Sequence, residues 1–269
     1  MTAVTSDRAS YYADPLVYHV LHLSGTSAET RVFERIARRH APGAASGPLH
    51  WLEPASGTGR YLHALAQRGH TGVGVDLLEP MNRFAAEEAQ RLGVGGRLRF
   101  LTAPMESFDV PQPSFHAALN PINSVRHLMT DKAVLAHLAC VRRALRPRGV
   151  YIVGVEVNPP GIAQPSEDVW KGRIAGLSVH QFVSYVPPEG RSRRETAMSH
   201  KTVITGRGRA RHERHIDSVY HLRTYTKPQW EKILRAGGWS VVACYGPTGR
   251  PKAFEPVGYC LQVLRPQDR

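Results

Sequence analysis

Nowhere in these 269 residues do about eighteen apolar residues run together, the length a bilayer-spanning helix needs. Residues 1–10 also lack the basic start and apolar run of a secretory leader. The expectation is a cytoplasmic chain that neither spans a membrane nor leaves the cell. Cysteine is scarce: Cys140, Cys244 and Cys260 lie far apart in apolar surroundings, without the close pairing that a zinc site or a redox motif requires. They read as reduced core thiols, and no metal is expected. Internal repeats and long low-complexity tracts are missing too, so neither a solenoid nor a disordered linker protein is indicated.

Acidic residues are the minority charge, 22 against 35 Lys and Arg, which leaves a formal net charge of +13. Such an excess can mark a polyanionic partner, because clustered cations displace condensed counterions from nucleic acid. About half of it lies in residues 191–223, where nine Lys or Arg stand against three acids for a balance of +6. That stretch is either a solvated face or a patch for an anionic substrate. Without interleaved aromatics it does not resemble a stacking platform for single strands, so nucleic acid is possible as a partner but not favoured.

Length and a hydrophobic fraction of 42% allow one sizeable core. Residues 26–40 read as a helix, with Thr26 and Glu29 at capping-box spacing and Val32, Phe33, Ile36 and Ala37 on one face. From residue 49 short apolar runs alternate with helical patterns: strands at 49–53, 71–76, 97–102 and 115–119, helices at 59–68, 80–92 and 130–145. This alternation implies a parallel sheet with right-handed crossovers. Arg146-Pro147-Arg148-Gly149 ends the last of these helices, and a fifth strand runs over 150–157 to the prolines at 159 and 160. Between 161 and 224 the texture changes to alternating stretches at 180–186, 197–205 and 215–220, which fit antiparallel strands. Thr226 and Gln229 then cap a helix to Arg235, and strands at 239–245 and 258–264 follow.

The chemistry gathers after the first strand. Glu53-Pro54-Ala55-Ser56-Gly57-Thr58-Gly59-Arg60 enters a helix, so two glycines fall where backbone must come close to a ligand. Seventeen residues after Gly59, Asp76 ends the second strand, where a carboxylate can accept both hydroxyls of a ribose. Dinucleotide folds use the same parts, but a pyrophosphate needs a third small residue at the helix start, and that place is Leu62. Glu53 would further repel a diphosphate while pairing with an ammonium group.

In these features the sequence resembles the class I, S-adenosylmethionine-dependent methyltransferases, over roughly 49–157 and again over 225–264. The resemblance implies an α/β, Rossmann-like, doubly wound seven-stranded sheet of order 3-2-1-4-5-7-6, its last strand antiparallel, with an antiparallel β insertion after strand 5. It implies one such domain: a helical lid at 1–47, a cofactor-binding core at 48–158, a substrate-side insertion at 159–225, and completion of the sheet at 226–269. S-adenosylmethionine is the implied cofactor, S-adenosylhomocysteine its product. Glu53, Ala55, Ser56, Gly57 and Gly59 would cradle its amino-acid end, Asp76 its ribose, with Leu77 and Met81 alongside. Met105 and Glu106 fall at the adenine. Here the pattern departs from the family, because Pro104 stands where an acid is usual, leaving the adenine amino group to Glu106 or to backbone. Asn120 would line the methionine moiety, and Tyr11 would reach the site from an aromatic lid.

The stretch Asn123-Ser124-Val125-Arg126-His127-Leu128 looks like the corresponding loop of glycine and amino-sugar N-methyltransferases, where a His orients an amine or accepts its proton. His127 is the catalytic candidate on that ground. The residues also admit plainer roles: Asp76 as a helix cap, His127 as a half-buried structural histidine, and Tyr11, Tyr12 and Tyr18 as packing against a sheet. His212-Glu213-Arg214-His215 invites a metal reading, but residues three apart on a strand point to opposite faces. The functional expectation is transfer to a small molecule, at nitrogen before oxygen. Alternatives are an RNA or protein methyltransferase using the basic 191–223 stretch, or a binding protein of the same fold that transfers nothing.

Overall fold

The computed structural model describes residues 12–41, 43, 46–110, 114–159, 164–190, 192–206 and 208–267. In chain order its helices are α1 (Pro15–His22), α2 (Thr26–His40), α3 (Arg60–Gln67), α4 (Glu79–Arg91), α5 (Asp131–Ala144) and α6 (Lys227–Ala236). Its strands are β1 (His50–Pro54), β2 (Thr71–Asp76), β3 (Leu98–Thr102), β4 (Phe115–Asn120), β5 (Leu145–Val157), β6 (Ser166–Ile174), β7 (Leu177–Val186), β8 (Arg194–Thr205), β9 (His212–Arg223), β10 (Trp239–Tyr245) and β11 (Gly258–Pro266). Two compact units form, a larger one from 26–159 and 225–267 and a smaller one from 12–25 and 164–224. The stretch read as one amino-terminal segment is thus divided, with α1 in the smaller unit and α2 in the larger.

In the larger unit a seven-stranded sheet has the order β3-β2-β1-β4-β5-β11-β10. Strands β1 to β5 pair in parallel, and β11 lies antiparallel between β5 and β10. This is the order expected from the sequence, with β11 and β10 as the seventh and sixth strands. Helices cover both faces, as parallel strands buried on two sides require. On one face Val134, Leu138 and Val141 of α5 and Trp230, Ile233 and Leu234 of α6 pack with Leu52, Tyr151 and Val153. On the other, Phe33, Ile36 and Ala37 of α2, Leu62 and Leu65 of α3, and Ala89 of α4 pack with Trp51, Ile152 and Val263. The α6 start is a full capping box between Thr226 and Gln229, as its spacing predicted.

One local expectation needs correcting. Arg146-Pro147-Arg148-Gly149 does not precede the fifth strand but lies within it, between the Phe115↔Leu145 and Ala117↔Val150 pairs, with Arg148 at φ +64°. Thr26 and Glu29 are also drawn to the same distant partner, Arg60, whose Nη1 donates to Thr26 Oγ1 at 2.7 Å and to Glu29 Oε2 at 2.9 Å. Their spacing on the first turn of α2 serves a tertiary bond across 34 and 31 residues.

The smaller unit is a four-stranded antiparallel meander, β6-β7-β8-β9. Its alternation buries Val179 and Val203 against Val17, Val20 and Leu21 of α1, while Tyr12 and Tyr18 pack beside Val183, Ala197, Tyr220 and Leu222. Helix α1 begins at Asp14, whose carboxylate accepts from the Val17 N–H at 3.1 Å. Among the described residues, no helix is long and apolar enough to cross a membrane.

Candidate functional site

Sheet order reverses between β1 and β4, and in open α/β sheets ligands bind outside the carboxyl ends of the strands at such a switch point. The carboxyl ends of β4, β1, β2 and β3 bring Asn120, Pro54, Asp76 and Thr102 to one edge. Between β1 and α3 the chain passes through the left-handed region at Ala55 (φ +57°), Gly57 (φ +53°) and Gly59 (φ +72°). The loop is pinned from beneath: Ser56 N donates to Val75 O at 3.1 Å, and Gly57 N to Asp76 Oδ2 at 2.8 Å.

Gly59 has an internal packing reason to be glycine. A Cβ there would stand 2.8 Å from the Phe100 ring and 3.1 Å from Ala85 Cβ, so the glycine lets α3 seat against β3 and α4. Leu62, at the place of a third small residue, is wholly buried. Gly72 of β2 makes its room, since a Cβ there would lie 2.8 Å from Leu62 Cδ2. In dinucleotide folds a small residue at this place lets the helix pack closely on the strand, and here a leucine and Gly72 share that contact instead.

The edge is lined by buried polar atoms that lack hydrogen-bond partners: Glu53 Oε2, Ser56 Oγ, Asn82 Oδ1 and Asn120 Oδ1. Such atoms cost free energy unless something polar meets them. Glu53 is 3% exposed, and burial pushes its carboxyl up to about 8, with the Arg60 guanidinium pulling it down and Asp76 pushing it further up. Asn120 is turned by its own amide, whose Nδ2 donates to Pro54 O at 2.8 Å, so β4 and the loop after β1 are tied at the switch point. Two unsatisfied acceptors and a hydroxyl around a glycine loop fit a ligand that brings an ammonium group. The donor set therefore fits the amino-acid end of S-adenosylmethionine.

Asp76 is half-buried, and its oxygens are engaged by backbone, Oδ2 by Gly57 N and Oδ1 by Leu78 N at 3.0 Å. Each carboxylate oxygen has more than one lone-pair site, so these bonds fix the carboxylate and leave acceptor capacity for a diol. Leu77 is 47% exposed beside it, an apolar surface at the edge, whereas Met81 is wholly buried in the α4 packing. Sequence reasoning missed its neighbour Asn82, whose Nδ2 donates to Asp76 O (3.0 Å), Leu101 O (3.1 Å) and Thr102 Oγ1 (3.0 Å). A polar residue in the first turn of a helix that follows such an acid was the available signal.

Met105 is buried and Glu106 half-buried. Met105 O accepts from His137 Nδ1 at 2.8 Å, and His137 Nε2 meets the Tyr151 hydroxyl at 2.8 Å. Burial drives His137 down to about 4, with its bond to Met105 opposing, so it is a neutral histidine that fixes this segment.

After β4 the chain makes a left-handed turn at Ile122 (φ +58°) and Asn123 (φ +61°), the first a β-branched residue for which that conformation is strained. Several contacts impose it. Asn123 Oδ1 accepts from Glu156 N at 2.7 Å, and the Ile122 backbone bonds the hydroxyl of Tyr259, whose ring lies over Gly154. Arg126, buried, reaches Glu156 Oε2 at 3.3 Å. The turn leads into a short 3-10 helix, Ser124–His127, on which His127 is half-buried. Tyr259, Asn123 and Glu156 thus support the loop that carries the catalytic candidate; their separation in sequence hid this.

Tyr11 lies outside the described residues. The Tyr12 and Tyr18 rings meet at 5.4 Å, tilted by 52°, within the smaller unit. In the basic stretch Lys201 and Arg223 are buried, Arg211 pairs with Glu213, and Arg214 pairs with Asp14. On β9 His215 stacks on His200 at 5.2 Å, and His200 Nδ1 meets Asp217 Oδ1 at 2.5 Å.

Comparison with known proteins gives the chain's relatives. A family model described as a methyltransferase domain matches residues 52–149, the span from β1 into β5. The Bacillus subtilis (strain 168) protein YqeM, named as a methyltransferase, is 26% identical over 71% of this chain and 73% of its own. Among solved structures, DesVI of Streptomyces venezuelae has a TM-score of 0.71 at 24% identity, covering 95% of this chain and 98% of its own. The sugar N-methyltransferase KedS8 of a Streptoalloteichus species has 0.69 at 17% identity, covering 100% and 96%. CalS10 of Micromonospora echinaspora, an amino pentose methyltransferase solved with S-adenosylmethionine bound, has 0.66 at 19%, covering 88% and 91%.

Proposed function

This chain carries a class I, S-adenosylmethionine-dependent methyltransferase domain, and from that premise we propose that it methylates the amine of a small, amino-sugar-like molecule. The supporting observation is the extent of the likeness. KedS8, titled a sugar N-methyltransferase, matches across the whole chain, the four-stranded unit included, and not over the cofactor-binding core alone. The loop with His127, similar to that of amino-sugar N-methyltransferases, points the same way.

When bound, the donor supplies a methyl group already activated on a sulfonium. The residues then have three tasks. Glu53, Ser56 and Asn120 hold the amino-acid end, Asp76 accepts from the ribose, and Leu77 with the Met105-Glu106 segment borders the adenine. Alignment does most of the work in such an in-line displacement. His127 takes the proton of the acceptor amine, which must be neutral to attack. An RNA or protein acceptor would draw on the basic stretch, but Lys201, Arg211, Arg214 and Arg223 are buried or paired with acids.

The test is product analysis by mass spectrometry with S-adenosylmethionine and a panel of amino sugars, free and nucleotide-linked, their hydroxyl counterparts, and RNA. One methyl on the amine is expected, and His127→Ala should lower that turnover far more than donor affinity. Methylation confined to the hydroxyl counterparts or to RNA would overturn the reading. Calorimetric donor binding without product from any acceptor would replace it with a non-catalytic one.

A further inference from the structure

Glu53 stands out even within its own site. It sits at the carboxyl end of β1, 3% exposed, with Oε2 unpartnered. Among the described residues, the charged and titratable groups that face it are few. From α3 come Arg60 and Tyr61, from β2 comes Asp76, and α2 acts through Glu29, which holds Arg60. Arg60 is the one cation among them, and its guanidinium is held elsewhere: Nη1 by Thr26 and Glu29, Nη2 by the Tyr61 hydroxyl, with Cζ 3.7 Å above the Tyr61 ring. It therefore acts on Glu53 across space. A backbone hydrogen bond from Leu62 and the Arg60 charge favour the ionised form, but burial outweighs them: a carboxylate so enclosed, one oxygen unmatched and a second acid nearby, is better accommodated as the neutral acid.

We infer that Glu53 is protonated in the free chain and releases its proton when a ligand with an ammonium group seats, so that the site exchanges one positive charge for another. The inference rests on the reading of this edge as the donor site. The balance is simple. The carboxyl O–H bond breaks, the proton passes to solvent, and the carboxylate pairs with the incoming ammonium, so that this pair is neutral as the acid was. The exchange makes Glu53 a specificity-determining residue. A ligand with an adenosine half but no cationic end leaves the acid protonated, and loses the ion pair that an amino-acid end gains. The direction of the Glu53 shift, to about 8, places the exchange in the neutral range.

Isothermal titration calorimetry of the full chain tests this with S-adenosylhomocysteine in two buffers of different ionisation enthalpy. At pH 6.5 the heats should differ by nearly one proton released per ligand, and at pH 8 by about half a proton. Affinity should tighten about fifteen-fold between those pH values. 5′-Methylthioadenosine, which has no amino-acid end, should bind with no proton exchange. Glu53→Gln, a neutral isostere, should abolish the release by S-adenosylhomocysteine and flatten its pH dependence. Should that variant fail to fold, the contrast between the two ligands on the native chain decides alone. Equal heats in both buffers at pH 6.5 would overturn the proton exchange while leaving the donor site standing. Failure of both ligands to bind would remove the donor site, and the exchange with it.

Discussion

Asp76 is the residue on which the site's sugar recognition turns, because one carboxylate organises two backbone segments. Its bonds to Gly57 N and Leu78 N hold the glycine loop and the entry to α4 in register. The helix-cap and ribose readings of this acid are therefore compatible: it meets the α4 entry and still faces the edge. Asp76→Ala should weaken S-adenosylhomocysteine binding by about 1.5 to 3 kcal/mol, the worth of a hydrogen bond to a charged group. Unchanged affinity by calorimetry would take Asp76 out of the site. Asp76 was legible in the sequence because it follows an apolar strand at a fixed distance from the glycines. Asn82 and Tyr259 were not, since each acts through bonds to segments that only the folded sheet brings near.

At the scale of elements, the turn between β4 and the 3-10 helix stores strain. Ile122 is 41% exposed, so its side chain contributes little burial to set against an unfavourable left-handed backbone. Ile122→Gly should accordingly raise the unfolding free energy in denaturant by about 1 kcal/mol. A loss of stability would mean that the turn is comfortable for isoleucine. Turnover should fall in the same variant, because a loosened turn no longer fixes the segment bearing His127. Neighbouring elements differ in how plainly the chain announces them. Strands β1 to β4 and helices α2 to α6 show through their apolar periodicity and caps. Strand β6 was missed: its first four residues, Ser166, Glu167, Asp168 and Val169, are all exposed, and alternation begins only at Trp170, where no residue is more than half-buried. Residues 146–149 misled for the opposite reason, since Pro and Gly signal a break while the sheet absorbs them as an irregularity within β5.

For the molecule as a whole, the seven-stranded order was accessible because right-handed crossovers and the final antiparallel hairpin leave few alternatives. The division into two units was not, because α1 joins β6 to β9 from the far end of the chain. Stability against pH is the property that sums over the fold, and two buried groups of the larger unit oppose each other. Glu53 is raised from 4.5 to about 8, so the folded chain holds a proton that the unfolded chain has lost. Its contribution is complete below pH 4.5 and declines as pH rises towards 8. His137 is lowered from 6.5 to about 4, so in that interval the unfolded chain binds the extra proton. Its contribution is complete above pH 6.5 and declines as pH falls towards 4, by up to about 3 kcal/mol for a fully buried group. Between pH 6.5 and 4.5 the two contributions nearly cancel, so the melting temperature should change little there, whereas His137→Gln, which cannot take up the proton, should leave Glu53 unopposed and raise the melting temperature on acidification while lowering stability at neutral pH. An acid limb of unchanged slope in the variant would show that other groups govern it. Ligand should act on the opposite limb, since an ammonium paired with ionised Glu53 stabilises the folded chain more as pH approaches 8.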